Sequence, residues 1–465
     1  MGEGANGVGR QVSGPPEQFG VARQIHTQLE GGRRTANPAT PHPLWEVARP
    51  AWDLVDDLRG GTDRMRSKCE LYLPRFAQES SKDYWSRVSV ATLYNFFVSG
   101  VRNIGALPFG TTVELTAPED ILAWEHDVDR MGNDLTQFCK ACLHDLLFYG
   151  RCIILVNSPI GPEETPTMAQ QVEERLWPYF IRIPPRVALN WVPDDFERYL
   201  RLNVHTWTDV ASPDNQWAHV QEEQVRVYRP DAIEVWVKDK TEAGKWRMDS
   251  QKEWWGLEDF LPVAHSYGEK VQPFLGRSPY QTVAELNARH MRARSEQDYS
   301  LRQLRTKFFL FAGVDPSQIT ASAAPGLSVY AFDSPDVRAE ILEFGPEAVE
   351  QGYEDLESLR QEMALRIVGL VNASDKTDET ATARAMDSAE NVADLESLVT
   401  EVEMLVKRAY RFAFQWMGQD PGQEVRVEIS RDRPGIETLA TRIMGRQLPG
   451  TGTPQSPGGE SAGSG

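Results

Sequence analysis

Residues 372–391 read NASDKTDETATARAMDSAEN, a polar run between two long apolar-striped segments whose periodicity it does not share. Upstream, Val349, Tyr353, Leu356, Met363, Ile367 and Leu370 recur at helical spacing from Pro346 onward. Downstream, Leu395, Leu398, Val399, Val402, Leu405, Val406, Ala409, Phe412, Ala413 and Trp416 repeat in a three-four pattern, and Gly418 ends it. The stretch therefore predicts a loop over Asn372, Ser374, Asp375, Lys376, Thr377, Asp378 and Glu379. A long helix from Thr380 to Trp416 follows, with Leu395, Leu398, Val402, Leu405, Phe412 and Trp416 as its packing stripe. Ala381, Ala383, Ala385, Ala389 and Ala393 put small residues on every face of its first half, which suits close packing against several neighbours better than a two-stranded coil.

Working outward, residues 277–307 predict another helix, with Ser278 as N-cap and Pro279 in its first turn. Its middle, NARHMRARSEQD, is polar all round, so it is expected to bridge surfaces or face a solvated space. Arg289, Arg292, Arg294, Arg302 and Arg305 make it basic: they form either a basic belt or the partner of an acidic helix on a neighbouring chain. Between the two helices, 308–345 reads as a small module of strands, FFLFAGVD, LSVYAFD and RAEILEFG. From about 180 to 265 the period falls to two, in short β-branched and aromatic runs with turn residues between them. Helices are expected over PLWEVARPAWDLVDDLR, over 81–107 with Ser81 as cap, and over 133–149; RCIILVN reads as a buried strand. EVRVEIS supplies a last strand expected to return to the earlier sheet. The class is α+β.

The 465 residues carry a net charge of −19, against the basic surface expected of a tight nucleic-acid binder. Over half of that charge lies between Gly345 and Val406, where fifteen acidic residues face four basic ones. No run approaches the length of a membrane helix, and the N-terminus carries no apolar secretory core, so no membrane role is expected. Cys139-x-x-Cys142 sits mid-helix among apolar positions with no second ligand pair, and reads as core rather than a zinc or redox motif. No phosphate loop, zinc-protease or nucleophile-elbow motif is present, so neither enzymatic activity nor a cofactor or metal is expected.

The chain resembles the tailed-bacteriophage portal proteins over about residues 45–432. The likeness rests on the order of CELYLPRFAQESSKDYWSR, DLLFYGRCIILVNSP, VALNWVPD, EEQVRVYRPDAIEVW, SPYQTVAELNARHMRARSEQDY and ETATARAMDSAENVADLESLVTEVEMLVKRAYRFAFQWMG. It implies an N-terminal tail over 1–43 and a helix-plus-antiparallel-sheet wing over 44–276. Stem helices follow over 277–307 and 346–370, with a small α/β clip over 308–345 between them. A tunnel loop over 371–379 faces the channel, and a spanning helix with a returning strand occupies 380–432. At the C-terminus the family's helical crown is reduced to 433–446 or absent, before a tail over 447–465. The implied function is a homo-oligomeric ring, of twelve subunits by the resemblance, at the unique vertex of the virion. It conducts double-stranded DNA in packaging and ejection and docks the terminase motor, a head-tail adaptor, and capsid and scaffold proteins. The protein would be made in the host bacterial cytoplasm. A carboxylate-rich wall would let phosphate slide, with Lys376 as a lone phosphate contact. The alternative is a capsid scaffold or minor structural virion protein without a channel.

Overall fold

The structure, a computed structural model, describes residues 37–77, 79–122, 124–159, 174, 176–212, 215–239, 244–253, 260–304, 307–312, 327–332, 338–342, 347–372 and 395–431. Helices and mainly antiparallel sheets are mixed along the chain, an α+β fold. The residues fall into two compact units.

The first unit takes 37–47, most of 153–264 and 411–421. Its centre is a five-stranded antiparallel sheet in the order β4–β5–β6–β7–β8, with β4 at Ala188–Pro193, β5 at Tyr199–Ser212, β6 at Asn215–Tyr228, β7 at Ala232–Lys238 and β8 at Trp246–Glu253. β5 and β6 form a long hairpin in register from Leu202↔Tyr228 to Ala211↔His219. Residues 37–43, within the span expected as an N-terminal tail, are among the described residues and make packed contacts. His42 stacks on Trp191 at 4.2 Å, and the carbonyls of Pro38 and Thr40 accept from the side-chain amides of Asn203 and Asn190. A second sheet runs β3–β2–β9, with β2 at Arg151–Asn157, β3 at Tyr179–Ile183 and β9 at Val263–Tyr267. β2 is buried from Arg151 to Val156, as an unbroken apolar run requires.

The second unit takes 48–152, 265–410 and 422–431. α1 (Pro43–Arg59) stops at the Gly60–Gly61 pair, and α2 (Gly61–Ser67) and α3 (Cys69–Tyr72) follow directly. The helix expected over 81–107 is two, α4 (Ser81–Val90) and α5 (Phe96–Ala106). The break lies where Asn95 turns its side chain back to accept from Val98 N–H and start a new helix. Ser80, not Ser81, caps α4, accepting from Asp83 N–H while its hydroxyl donates to the Asp83 carboxylate. After α6 (Glu119–Leu122), α7 (Leu135–Tyr149) buries Leu135, Phe138, Cys139, Cys142, Leu143 and Leu146 and closes on Gly150 at φ 73°. A side chain at Gly150 would strike the Arg277 carbonyl, so only glycine ends the helix here.

β10 (Glu269–Gln272) and β11 (Leu275–Arg277) lead to α8 (Gln281–Leu304). Then come β12 (Lys307–Ala312), β13 (Leu327–Phe332) and β14 (Arg338–Leu342), followed by α9 (Glu347–Asn372) and α10 (Leu395–Trp416). The strands form one sheet in the order β13–β12–β14, parallel between β12 and β13 and antiparallel between β12 and β14. β15 (Arg426–Glu428) does not rejoin the five-stranded sheet. It pairs antiparallel with β1 (Glu114–Thr116), and Glu403 on α10 fixes its end by accepting from Ile429 N–H at 2.8 Å. The tails at 1–36 and 432–465, the crown remnant included, lie outside the described residues.

Candidate functional site

The segment that the sequence marks for function is the helix pair α8–α9 with α10 behind it. α9 buries Leu356, Leu359, Met363 and Ile367, a stripe at three-four spacing. Gly100 on α5 lets Ile367 approach so closely that a Cβ there would sit 2.6 Å from its Cδ1. α8 reaches the same core by a different route. Met291 is its one large buried apolar side chain beyond the first turn, and Asn287, His290, Ser295 and Gln297 are buried beside it.

Asn287 and Gln297 are used inside the chain. Asn287 Oδ1 accepts from Phe97 N–H at 2.9 Å and its Nδ2 donates to the Tyr94 carbonyl at 2.8 Å, so α8 caps the start of α5. Gln297 donates to the Val349 carbonyl in the first turn of α9 at 2.7 Å. The sequence predicts a helix that bridges surfaces or faces a solvated space; on its buried side, Asn287 and Gln297 satisfy backbone groups of its neighbours.

Beside Ser295 lies a buried ion pair that the sequence reading did not single out. Arg87 meets Glu79 through two hydrogen bonds of 2.8 Å, with both side chains almost fully buried. Arg87 also donates to the Pro74 carbonyl and stacks over Phe76 at 4.4 Å. The hydrogen bonds from Arg87 hold the Glu79 carboxyl below its ordinary range, outweighing the effect of burial. A second buried carboxylate, Asp57, is gathered by Lys68, Tyr72 and Arg64 at 2.6–2.9 Å. Burial works to raise its pKa, but those three partners together lower it.

Four of the five arginines of the expected basic group are among the described residues, each in its own surroundings. Arg289 and Arg292 lie on the exposed stripe of α8, which they share with Glu285 and the half-buried Glu296, and Arg292 Nε donates to the Tyr72 carbonyl at 3.2 Å. Arg294 is half-buried, bound to Asp298 at 3.1 Å and lying near the rings of Tyr94 and Tyr353. Arg302 donates to Ser86 Oγ at 2.8 Å, and Arg305 lies outside the described residues. On α9, Glu350, Glu354 and Asp355 are exposed, while Glu357 and Glu362 pair with Arg360 and Arg366 on their own helix.

Asn372 ends α9; Ser374, Asp375, Lys376, Thr377, Asp378 and Glu379 lie outside the described residues. On α10, Leu395, Leu398, Val402 and Leu405 are buried, and Phe412 and Trp416 are half-buried, Phe412 lying edge-on to Phe260 at 6.2 Å. Tyr410 is buried against Trp124 at 5.5 Å, and burial drives its hydroxyl pKa well up.

Residues 279–417, the span from α8 through α10, match a family model described as a domain of unknown function (DUF4055). Domains of this family occur in phage head-morphogenesis proteins. No curated protein matches the chain. The DUF4055 span thus contains both helices of the pair, the β12–β14 sheet, the 373–394 run and the helix that follows.

Among the described residues no cluster of three His, Cys, Asp or Glu side chains is placed to hold a metal. All four cysteines carry free thiols, and burial pushes that of Cys139 far up, away from the thiolate that redox or metal chemistry needs. No described helix is long and apolar enough to cross a membrane.

Proposed function

We propose that this chain is the subunit of a phage portal, a closed homo-oligomeric ring at one capsid vertex through which double-stranded DNA is packaged and ejected. The observation that carries the reading is the order of elements within the DUF4055 span. A helix of 24 residues leads into a small three-stranded sheet, a helix of 26 residues returns, and an acidic polar run precedes α10. Such a unit presents its β12–β14 sheet at one end of a helix pair, where a packaging ATPase and a tail adaptor would dock, and needs no catalytic centre of its own. Closed head-to-tail contacts would cover helix faces that one subunit leaves open. The acidic excess between Gly345 and Val406 suits a wall along which phosphate slides.

The intramolecular use of Asn287 and Gln297 favours a second reading. With the polarity of α8 accounted for inside one chain, a scaffold or minor structural virion protein without a channel would fold the same way.

Light scattering and negative-stain imaging of the purified chain decide between them. A particle on the order of 600 kDa with an axial hole is the expected result, about twelve copies of a 52.4 kDa chain. A monomer or dimer that persists with capsid and scaffold proteins present overturns the ring. Within an established ring, Lys376→Glu should leave assembly intact and reduce DNA packaging; normal genome filling would remove Lys376 from any contact with DNA.

A further inference from the structure

The five-stranded sheet carries an aromatic face that the function above does not use. Directly opposed residues of an antiparallel pair share a face. The register therefore places His205 with Val225, Trp207 with Glu223, Trp236 with Met248 and Lys238 with Trp246 on one side. Trp207 is 56% exposed and Met248 47%, so large apolar groups face outward together, and Trp217, 83% exposed, stands at the irregular end of the same hairpin. A compact polar group sits among them: Glu223 accepts from His205 Nε2 at 2.8 Å and pairs with Lys238, whose ammonium lies 5.8 Å from the centre of the Trp246 ring.

The described chain begins on this same face. Asn203 lies two and four positions before His205 and Trp207 on β5, and its Nδ2 donates to the Pro38 carbonyl. Its Oδ1 is buried and accepts no hydrogen bond among the described residues, an acceptor short of a donor where the preceding chain arrives. From Asn203, Trp207 is about 13 Å along the strand, within reach of four or five extended residues.

Thirty-six residues precede Asn37, and they differ in charge from the rest of the chain. Arg10, Arg23, Arg33 and Arg34 outnumber Glu3, Glu17 and Glu30, against the overall −19. Arg33 and Arg34 fall four and three positions before Asn37, close to the four positions that separate Asn203 from Trp207; the exposed Asp209 lies two residues further along β5. A guanidinium stacks on indole faces and pairs with carboxylates, and this face offers both.

We propose that residues 1–36 dock on the tryptophan face of their own chain. A donor ahead of Asn37 meets Asn203 Oδ1, Arg33 and Arg34 reach Trp207 and Asp209, and the apolar Ile25 and Phe19 lie beyond, toward Trp217. The occupant is this segment, and the contact does not depend on whether the protein assembles into a ring.

Limited trypsin digestion of the full chain, read by mass spectrometry at Arg23, Arg33 and Arg34, tests it. The double variant Trp207→Ser/Trp217→Ser replaces two outward side chains. It is expected to release the N-terminal peptides several-fold faster than the wild type, with the wild-type rate independent of protein concentration. Equal rates in the two proteins overturn the proposal. Wild-type protection that appears only as concentration rises overturns it in favour of a second copy on the face. A readout needing no variant is hydroxyl-radical labelling of Trp207 and Trp217 in the wild-type chain before and after tryptic removal of the segment. Oxidation should rise several-fold on removal, and unchanged oxidation refutes docking.

Discussion

α8 and α10 are helices of 24 and 22 residues within one matched domain, and they are buried by opposite means. α10 turns a continuous stripe of Leu395, Leu398, Val399, Val402, Leu405 and Val406 inward, and its burial follows from apolar area alone. α8 has almost no such stripe and goes inside through Asn287, Ser295 and Gln297, each bonded to a group distant in sequence or, for Ser295, to Arg87 at 3.4 Å. The first kind of burial tolerates exchange of one hydrocarbon for another. The second demands particular donors and acceptors, because an unpaired backbone group left behind in the core costs more than the bond contributed.

The largest effect should come from placing a charge in the α10 stripe. Leu398→Asp puts a carboxylate where the side chain is 1% exposed. We expect a loss above about 4 kcal/mol, enough to leave little folded protein. Soluble yield and urea denaturation followed by circular dichroism check this. A stable, soluble variant would show that the stripe is not core.

Asn287→Leu sharpens the comparison from the other side. The substitution makes α8 more apolar, as if to imitate α10, yet it strips partners from Phe97 N–H and the Tyr94 carbonyl. A loss of about 2–4 kcal/mol in the same denaturation experiment is expected, for two backbone groups left unpaired in or near the core. A neutral or stabilising outcome would mean that α8 is held by packing after all, and the contrast between the helices would dissolve.

This difference also explains what could be read without coordinates. Hydropathy at helical period pointed to α10, α9 and α7, and a period of two pointed to the strands around 180–265, because such spacing is written locally. The partners of α8 could not be read in the same way, since nothing near Asn287 announces a bond to a residue 190 positions away. The same reading joined α4 to α5 because both are helical and only the short stretch 91–95, ending in Asn95 as a cap, separates them. It sent β15 to the five-stranded sheet because a short strand carries no mark of its partner. Arg87 and Glu79 were not singled out; two ions eight positions apart give no sign that both will be enclosed. Of the candidate site, the burial of Leu395, Leu398, Val402 and Leu405 follows their local spacing, whereas the contacts of Arg292 with Tyr72 and of Arg302 with Ser86 join residues more than 200 positions apart, which no local pattern announces.

His290 tests the polar seam through pH. It is 6% exposed with the rings of Tyr94 and Phe96 edge-on, and burial, then Arg294 and Arg360, lower its pKa from 6.5 to about 4. The folded state thus binds the proton more weakly than the unfolded chain. Its contribution to stability is intact above about pH 6.5 and falls as the pH drops toward 4, by up to about 1.4 kcal/mol per pH unit. The buried carboxylates Asp57 and Glu79, whose pKa values are lowered, add their own loss below the ordinary carboxylate range. His290→Phe should flatten the upper part of this acid limb while leaving the lower part in place. An unchanged profile between pH 6.5 and 4 would place the sensitivity in His265, which burial, then Arg151 and Arg408, lower to about 3.

The smallest effect is expected at Arg289, on the exposed stripe of the same helix one residue before His290. It is exposed, as is Glu285 one turn away, so its removal is expected to cost the fold little. Arg289→Ala should shift the stability of the isolated chain by no more than about 0.5 kcal/mol. The variant matters because it divides the two faces of α8: one holds the fold, and the other is free for a neighbouring chain or for DNA. If Arg289→Ala unfolds as the wild type does but assembles poorly, the exposed stripe is an interface between copies. If it assembles normally and packages DNA poorly, the stripe lines a channel. A loss of stability comparable to that of Asn287→Leu would contradict the division itself, because an exposed side chain would then be contributing as much as one that closes two hydrogen bonds in the core.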